Sequence, residues 1–421
     1  MNQLFQVLES SDVYWFLVLF YGFYPIITSS MWVTTAIFYF LRHDLSGYPE
    51  MLTDDSQCPS VSILIPAYYE EAGIARSLDG LTRLDYPNYE VLVINDGSED
   101  RTVEETLPYL QDPRVRLIDK HINEGKGMAL NDAIPCAKGD LILVMDADTV
   151  PEPQILRIMA AHFKAPNIGA VCGNARVRNR NNWISSLQAV EFSSVIGLLR
   201  RAQRIWGRIM CVSGVCGMFR REALIKAGLY SPGMATEDID LTFKLQMLNY
   251  DVLYEARARV WMEVPESLEM LWKQRIRWAL GLGQALRRHR KILWTPKYYR
   301  MFPVYVESLL SVMWAWTFVT ISALWAMALL MGYQLEGGSL IPNWFGAMIG
   351  AACLLQLLTG VAIDSRYEPA ILREYPYAIL YPLAYWMIMS LSSAMYSTKG
   401  FVQRLDLTKP VRWRIVREGS Q

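Results

Sequence analysis

Four long stretches of this 421-residue chain carry no charge at all, and they limit what it can fold into more than any other feature. They cover residues 13–41, 308–335, 337–363 and 375–398, each longer than the about 20 residues a helix needs to cross a bilayer. Four such runs are too many for buried helices of one water-soluble core, and a composition of 52% hydrophobic against 19% charged residues agrees. Tyr and Trp mark their ends, as at Tyr14, Trp15, Tyr375 and Tyr377, where amphipathic rings anchor at the membrane surface. The first run is too long for a cleavable leader, and Glu9 and Asp12 precede it where cations would stand. Arg42 and His43 follow it, which puts the N-terminus outside and the chain after residue 42 in the cytoplasm. The last three runs then conflict with the tail. Three crossings would leave the C-terminus outside, yet Lys399, Arg404, Lys409, Arg412, Arg414 and Arg417 favour the cytoplasm. Pro376 and Pro382 offer a way out, by breaking the last run into a re-entrant piece.

The middle of the chain has another character. Short β-branched runs at 61–65, 91–94, 115–118 and 141–145 alternate with helical stretches at 71–84, 100–110 and 125–137. That alternation predicts an α/β domain with a mainly parallel sheet covered on both faces, binding its ligands at the carboxyl ends of the strands. The expected organisation is a membrane helix in 1–45, the α/β domain in 46–265 with a polar linker at its start, amphipathic helices in 266–303, membrane helices in 304–398 and a basic tail in 399–421. Forty-one basic and 41 acidic residues leave no excess for a nucleic-acid partner. Six cysteines without a C-x-x-C pair read as reduced, buried thiols rather than a zinc site or a disulfide framework.

Polar motifs fall at the strand ends. The first strand runs into Pro66, Ala67, Tyr68, Tyr69 and Glu70, and the second into Asn95-Asp96-Gly97-Ser98. A carboxylate before a Gly turn can accept from a base or ribose, although Asp-Gly alone is a common turn. The fourth strand ends in Asp146-Ala147-Asp148. In an extended segment both carboxylates point one way and offer hard oxygens to Mg²⁺ or Mn²⁺ on a diphosphate. Lys126 opens a helix after a Gly turn, where a phosphate meets amides and a cation. Ala235-Thr236-Glu237-Asp238 precedes an amphipathic helix. Thr236 and Asp238 can serve as caps, and Asp238 can serve as a general base beside Glu237. In Gln274-Arg275-Ile276-Arg277-Trp278, the residues Gln274, Arg277 and Trp278 share one region of a helix. Arg277 suits a diphosphate and Trp278 a sugar face. Arg275, with Arg287, Arg288, Arg290 and Lys291, reads as the positive surface of an interfacial helix.

In this order, and followed by membrane runs, the motifs resemble the family 2 glycosyltransferases, whose nucleotide-binding domain has the Rossmann-like GT-A fold. They look most like its processive membrane branch, the synthases of poly-β-1,6-N-acetylglucosamine, hyaluronan, chitin and cellulose. The segments 173–178, 191–205, 272–275 and 363–368 resemble the poly-N-acetylglucosamine members; Ala279-Leu280-Gly281 departs where a glutamine would precede the glycine. The resemblance implies that Asp96 and the Pro66–Glu70 region hold uridine, that Asp146 and Asp148 hold the metal and UDP, and that Asp238 is the base. It implies that Gln274, Arg277 and Trp278 gate UDP and the acceptor. The stretch Ser213-Gly214-Val215-Cys216-Gly217-Met218-Phe219-Arg220 would form the acceptor-side loop, with Ser213, Gly214 and Arg220 near the growing polysaccharide. It further implies a UDP-sugar donor, inversion from α to β, an inner-membrane location and, often, a small membrane partner subunit. The alternatives are a non-processive transferase acting on a lipid and a transporter whose α/β domain only senses a nucleotide.

Overall fold

The computed structural model describes residues 2–45, 47–337 and 344–412. Its centre is an eight-stranded mixed sheet: β1 (Val61–Ala67), β2 (Tyr89–Asp96), β3 (Val115–Lys120), β4 (Leu141–Met145), β5 (Val150–Pro151), β6 (Ile168–Val177), β7 (Cys216–Arg220) and β8 (Asp251–Met262). The spatial order is β3-β2-β1-β4-β7-β6-β8-β5. The first four strands are parallel and coincide with the four β-branched runs. The sheet is less parallel than the alternation predicts, because β7 runs antiparallel to both β4 and β6. β1 and β4 are buried at every position, as strands covered on both faces must be, and two separate apolar clusters line those faces. The parallel strands all end on one edge, and antiparallel β7 begins there, since Cys216 pairs with Met145.

The helices that matter for the site are, in chain order, α1 (Asp12–Tyr39), α2 (Lys126–Ala133), α3 (Trp183–Glu191), α4 (Leu199–Trp206), α5 (Glu237–Met247), α6 (Leu268–Arg288), α7 (Phe302–Leu330) and α8 (Trp344–Asp364). A π-helical turn, Phe192–Leu198, joins α3 to α4. Among the described residues, three helical stretches are long and apolar enough to cross a membrane: Asp12–Asp44, Pro296–Leu330 and Gly346–Asp364. Tyr39 at the end of α1 donates to the Tyr254 carbonyl of β8, so this end of α1 meets the α/β domain. At its other end Tyr14 donates to the Glu336 carbonyl, and Glu9 accepts from Tyr333. The N-terminus and the segment after α7 therefore share the far end of the bundle.

The fourth apolar run behaves differently. Its first part lies in a 3₁₀ stretch, Pro369–Ile379, that includes Pro376. A helical run then covers 381–402 with π-helical turns at Tyr381–Tyr385 and Ser393–Ser397. It lies against α6 with backbones touching: a Cβ on Gly283 would fall 1.9 Å from the Ser397 carbonyl oxygen, and one on Gly400 2.2 Å from that of Leu280. The chain then returns to the α/β domain, where the Val411 amide donates to the Pro232 carbonyl. The chain as far as Arg412 therefore lies beside the α/β domain. Arg414 and Arg417 lie outside the described residues.

Candidate active site

The strand-end loops are stitched to one another before any ligand is considered. Ser98 and Thr102 hydroxyls accept from the Tyr69 and Glu70 amides at 3.1 and 2.8 Å, and Asp100 accepts from the Glu71 amide at 3.2 Å. Pro66 and Ala67 are buried in the strand, while Tyr68 is partly open with its ring edge-on to Tyr69. Gly97 takes φ +76°, and a Cβ there would lie 2.8 Å from the Asn123 nitrogen, so only glycine fits the turn after Asp96. Asp96 is fully buried. Its oxygens accept from the Glu124 and Gly125 amides at 3.2 and 2.7 Å, and Lys120 stands 3.4 Å away. Burial pushes its carboxyl up despite those donors. Asp96 thus also fixes the loop that delivers Lys126.

Lys126 is not a solvated lysine. Its ammonium contacts the Asp146 carboxylate and feels Glu237 and Asp238; burial acts to lower its pKa, but the three acids raise it on balance. The ammonium passes so close to Gly214 that a Cβ there would lie 2.6 Å from it. Asp146-Ala147-Asp148 is a turn rather than an extension of β4. The Thr149 amide and hydroxyl both bond back to the Asp146 carbonyl, at 3.2 and 2.6 Å. The alternation argument for Asp146 and Asp148 therefore fails, because β4 ends with its partner β7 at Met145. Among the described residues no three His, Cys, Asp or Glu side chains converge to cage a metal. Two carboxylates at a strand end still fit Mg²⁺ or Mn²⁺, which commonly take one or two protein carboxylates and complete their shell from phosphates.

Asp238 lies across from this group. One of its oxygens accepts from the Ile239 amide at 2.9 Å, the other from the Gly214 amide at 3.3 Å, and the Cys211 thiol bonds to it as well. Glu237 beside it is pushed up by burial and by Asp238, against the pull of Lys126 and Arg277. The structure thus gathers Lys126, Asp146, Ser213, Gly214, Glu237, Asp238 and Arg277. It does not bring Arg220 there. Arg220 ends β7 opposite Leu141, at the other end of the sheet, and donates to the carbonyls of Phe163, Ala165 and Ile168. Five antiparallel residues carry the chain away from the strand-end edge.

Thr236 does not cap α5. Its hydroxyl is buried without a hydrogen-bond partner and packs on Gly281, where a Cβ would lie 2.0 Å from it. The Gln284 side chain accepts from the Ala235 amide at 2.8 Å. The acidic motif is therefore seated directly on α6, the helix that carries Gln274, Arg277 and Trp278. Gln274 has a buried side-chain oxygen with no partner, Arg277 is exposed and Trp278 is partly buried. Arg275 departs from the sequence reading: it is only 2% exposed and bonds to Glu191 of α3, so it belongs to no positive surface. Sequence reasoning also missed Gln284, Gly281 and Cys211. Gly281 lies two helical turns beyond Gln274, which was the available sign of a close contact on that face. The cysteines, all free, are not uniformly buried: Cys136 is exposed, and Cys58 and Cys211 are intermediate.

Comparison with known proteins agrees with this geometry. The family described as Glycosyltransferase like family 2 matches residues 59–281, more than half of the chain. A poly-β-1,6-N-acetyl-D-glucosamine synthase of Staphylococcus epidermidis is 32% identical over 371 residues, 87% of this chain and 90% of that protein. One from Staphylococcus aureus strain COL is 31% identical over 376 residues, with the same coverage. A mannosyltransferase from Pyrobaculum calidifontis, solved with GDP-Man and Mn²⁺, superposes with a TM-score of 0.61 at 22% identity, covering 90% of this chain and 98% of its own, which establishes the shared GT-A fold. A sheet that gathers its acids at the strand ends, a family match across that sheet and relatives above 30% identity along nearly their whole length together make the chain a member of glycosyltransferase family 2.

Proposed function

We propose that this glycosyltransferase is a polysaccharide synthase of the inner membrane. It would transfer N-acetylglucosamine from UDP-GlcNAc to a growing β-linked chain of the poly-β-1,6-N-acetylglucosamine kind and pass the product through its membrane helices. The observation that supports this reading is the contact of Thr236 with Gly281, which seats the Glu237-Asp238 motif on α6, the helix that carries Gln274, Arg277 and Trp278. The relatives named above, aligned along most of this chain, supply the sugar.

In this mechanism Pro66, Ala67, Tyr68, Glu70 and Asp96 frame the uridine. Asp146 and Asp148 would hold the divalent cation, which offsets the charge of the departing diphosphate. Lys126 and Arg277 add positive charge on the same side. Asp238, aimed by the Gly214 and Ile239 amides, takes the proton of the acceptor hydroxyl as it attacks the anomeric carbon opposite UDP; one base and one in-line displacement invert the centre. Ser213 and Gly214 border the acceptor, and Trp278 offers it an aromatic face. The catalytic domain faces the cytoplasm in this reading. A small membrane subunit, as in the branch it resembles, completes the assembly.

The test offers purified full-length protein a panel of UDP-sugars and measures UDP release with and without EDTA, followed by product sizing. UDP-GlcNAc should dominate, EDTA should suppress release, and long polymer should accumulate. Release from another sugar alone, or a product of one added residue, would overturn the assignment.

A further inference from the structure

Arg275 is the residue of α6 whose surroundings the proposed chemistry leaves unused. It is 2% exposed at a helix position where its neighbours Arg277 and Lys273 are open to solvent. One guanidinium nitrogen donates to the Glu191 carboxylate at 2.6 Å and to the Tyr385 hydroxyl at 2.5 Å, and that hydroxyl itself donates to Glu191 at 2.6 Å. The three groups close a triangle between α3, α6 and the run 381–402. The guanidinium carbon lies 4.3 Å from the Trp278 ring centre, close enough for a cation–π contact. Its Nε and other terminal nitrogen make no hydrogen bond. A planar guanidinium held by one edge and laid over an indole fixes that ring, and a lysine cannot imitate the plane.

Both partners of Arg275 sit at irregular helix. Glu191 is the last residue before the π-turn Phe192–Leu198, and Tyr385 closes the π-turn Tyr381–Tyr385. Such turns cost hydrogen-bond geometry and occur often at functional sites. Here they turn Glu191 and Tyr385 inward toward one side chain.

We infer that the buried Glu191–Arg275–Tyr385 triangle is a positioning device that holds the Trp278 ring in the orientation that receives the acceptor sugar. The inference rests on the proposed reading that Trp278 faces the acceptor. Arg275 touches neither donor nor acceptor; it acts through Trp278.

The experiment uses the full-length enzyme in nanodiscs with UDP-GlcNAc and a short β-1,6-linked N-acetylglucosamine oligosaccharide, and measures acceptor KM, kcat and, separately, UDP affinity by calorimetry. Arg275→Lys and Tyr385→Phe should each raise acceptor KM by roughly tenfold or more, since small misplacement of a binding group has effects of that order. UDP affinity should stay within about twofold of wild type, because the nucleotide pocket is untouched. Combined with Trp278→Phe, neither change should add a further loss. If Arg275→Lys fails to fold, Tyr385→Phe carries the test, as it removes one hydroxyl. Losses that add to that of Trp278→Phe, UDP affinity falling in step with activity, or an unchanged acceptor KM would overturn the positioning role. If Trp278→Phe itself leaves acceptor KM unchanged, the acceptor reading of Trp278 falls and the inference with it.

Discussion

Asp238 accepts from the Ile239 and Gly214 amides, and this pair of bonds aims its carboxylate before a substrate arrives. Replacing it with Asn keeps the shape and removes the proposed base. Asp238→Asn should abolish polymer synthesis while UDP affinity stays close to wild type; normal synthesis would remove Asp238 from the mechanism. Thr236 and Gly281 make a second residue-scale prediction. A Cβ at 281 would meet the Thr236 hydroxyl at 2.0 Å, inside any van der Waals contact, so Gly281→Ala must push the acidic motif off α6. Overpacking of this kind costs about 1–3 kcal/mol. Gly281→Ala should lower the melting temperature and cut kcat, and Gly281→Ala with Thr236→Ala, which removes the clashing hydroxyl and methyl, should recover part of both; no change in either quantity would refute the seating. At this scale Asp96 and Asp146 are legible in the sequence because strand ends are legible, whereas Glu237 and Asp238 stand out only as acids before an amphipathic helix. Arg220 was not legible, since its place depends on the direction of β7, and nothing in five residues encodes direction. Arg275 was misread because helix periodicity shows a face without showing what covers it, and its cover comes from 110 residues further on.

α5 is fastened to α6 from its N-terminal turn, by Thr236 against Gly281 and, one turn further on, by Asp240 against Arg288 and His289 at the end of α6. Asp240 is fully buried and accepts from His289 at 2.8 Å, with Arg288 at 3.0 Å and Lys244 at 3.7 Å. Burial raises its carboxyl pKa, but His289 and Arg288 outweigh that and hold it below the ordinary carboxylate value. A carboxyl depressed in the folded state stabilises above its unfolded pKa of about 3.9, and that stability is lost as pH falls through the folded value. Glu255, held down by His162 and Arg257 against its own burial, acts in the same direction. Thermal melts from pH 7 down to pH 3 should therefore show a steep acid limb, and Asp240→Asn should flatten it while lowering stability near neutrality. An unchanged limb would detach Asp240 from acid unfolding. Element by element, the four parallel strands and the start of α6 were readable, being long β-branched runs and a strong amphipathic period. The last apolar run was not. Hydropathy counts residues and cannot see that Gly283 and Gly400 let 381–402 lie backbone to backbone along α6.

The catalytic domain and the membrane helices are joined by a buried ion network. Arg201 of α4 pairs with Asp44 at the end of the first membrane stretch at 2.9 Å and with Asp364 at the end of α8 at 2.8 Å. Arg176 of β6 pairs with the other oxygen of Asp364 at 2.9 Å, and Arg180 contacts Glu368. Removing one partner of a buried pair leaves the other charge stranded, which costs about 3–5 kcal/mol. Arg201→Met should therefore destabilise the whole protein, and Arg201→Met with Asp44→Asn less than Arg201→Met alone, as read by melting in detergent. A double-variant loss equal to the sum of the Arg201→Met and Asp44→Asn losses would mean that the pair is not coupled.

The same contacts bear on sidedness. The ends of α1 and α8 meet the catalytic domain, Glu9 and Tyr333 meet at the far end, and the chain beyond 402 returns to Pro232. If the three candidate stretches cross the bilayer, the chain as far as Arg412 and the α/β domain share one side, which four crossings could not achieve. On an otherwise cysteine-free background, a cysteine at the exposed Gln403 should react with a membrane-impermeant maleimide only after cells are permeabilised. One at the exposed Gln3 should react in intact cells. Labelling of both positions in intact cells would require the run 381–402 to cross the bilayer. Its contacts with α6 would then have to break, and with them the support beneath Thr236 and Asp238.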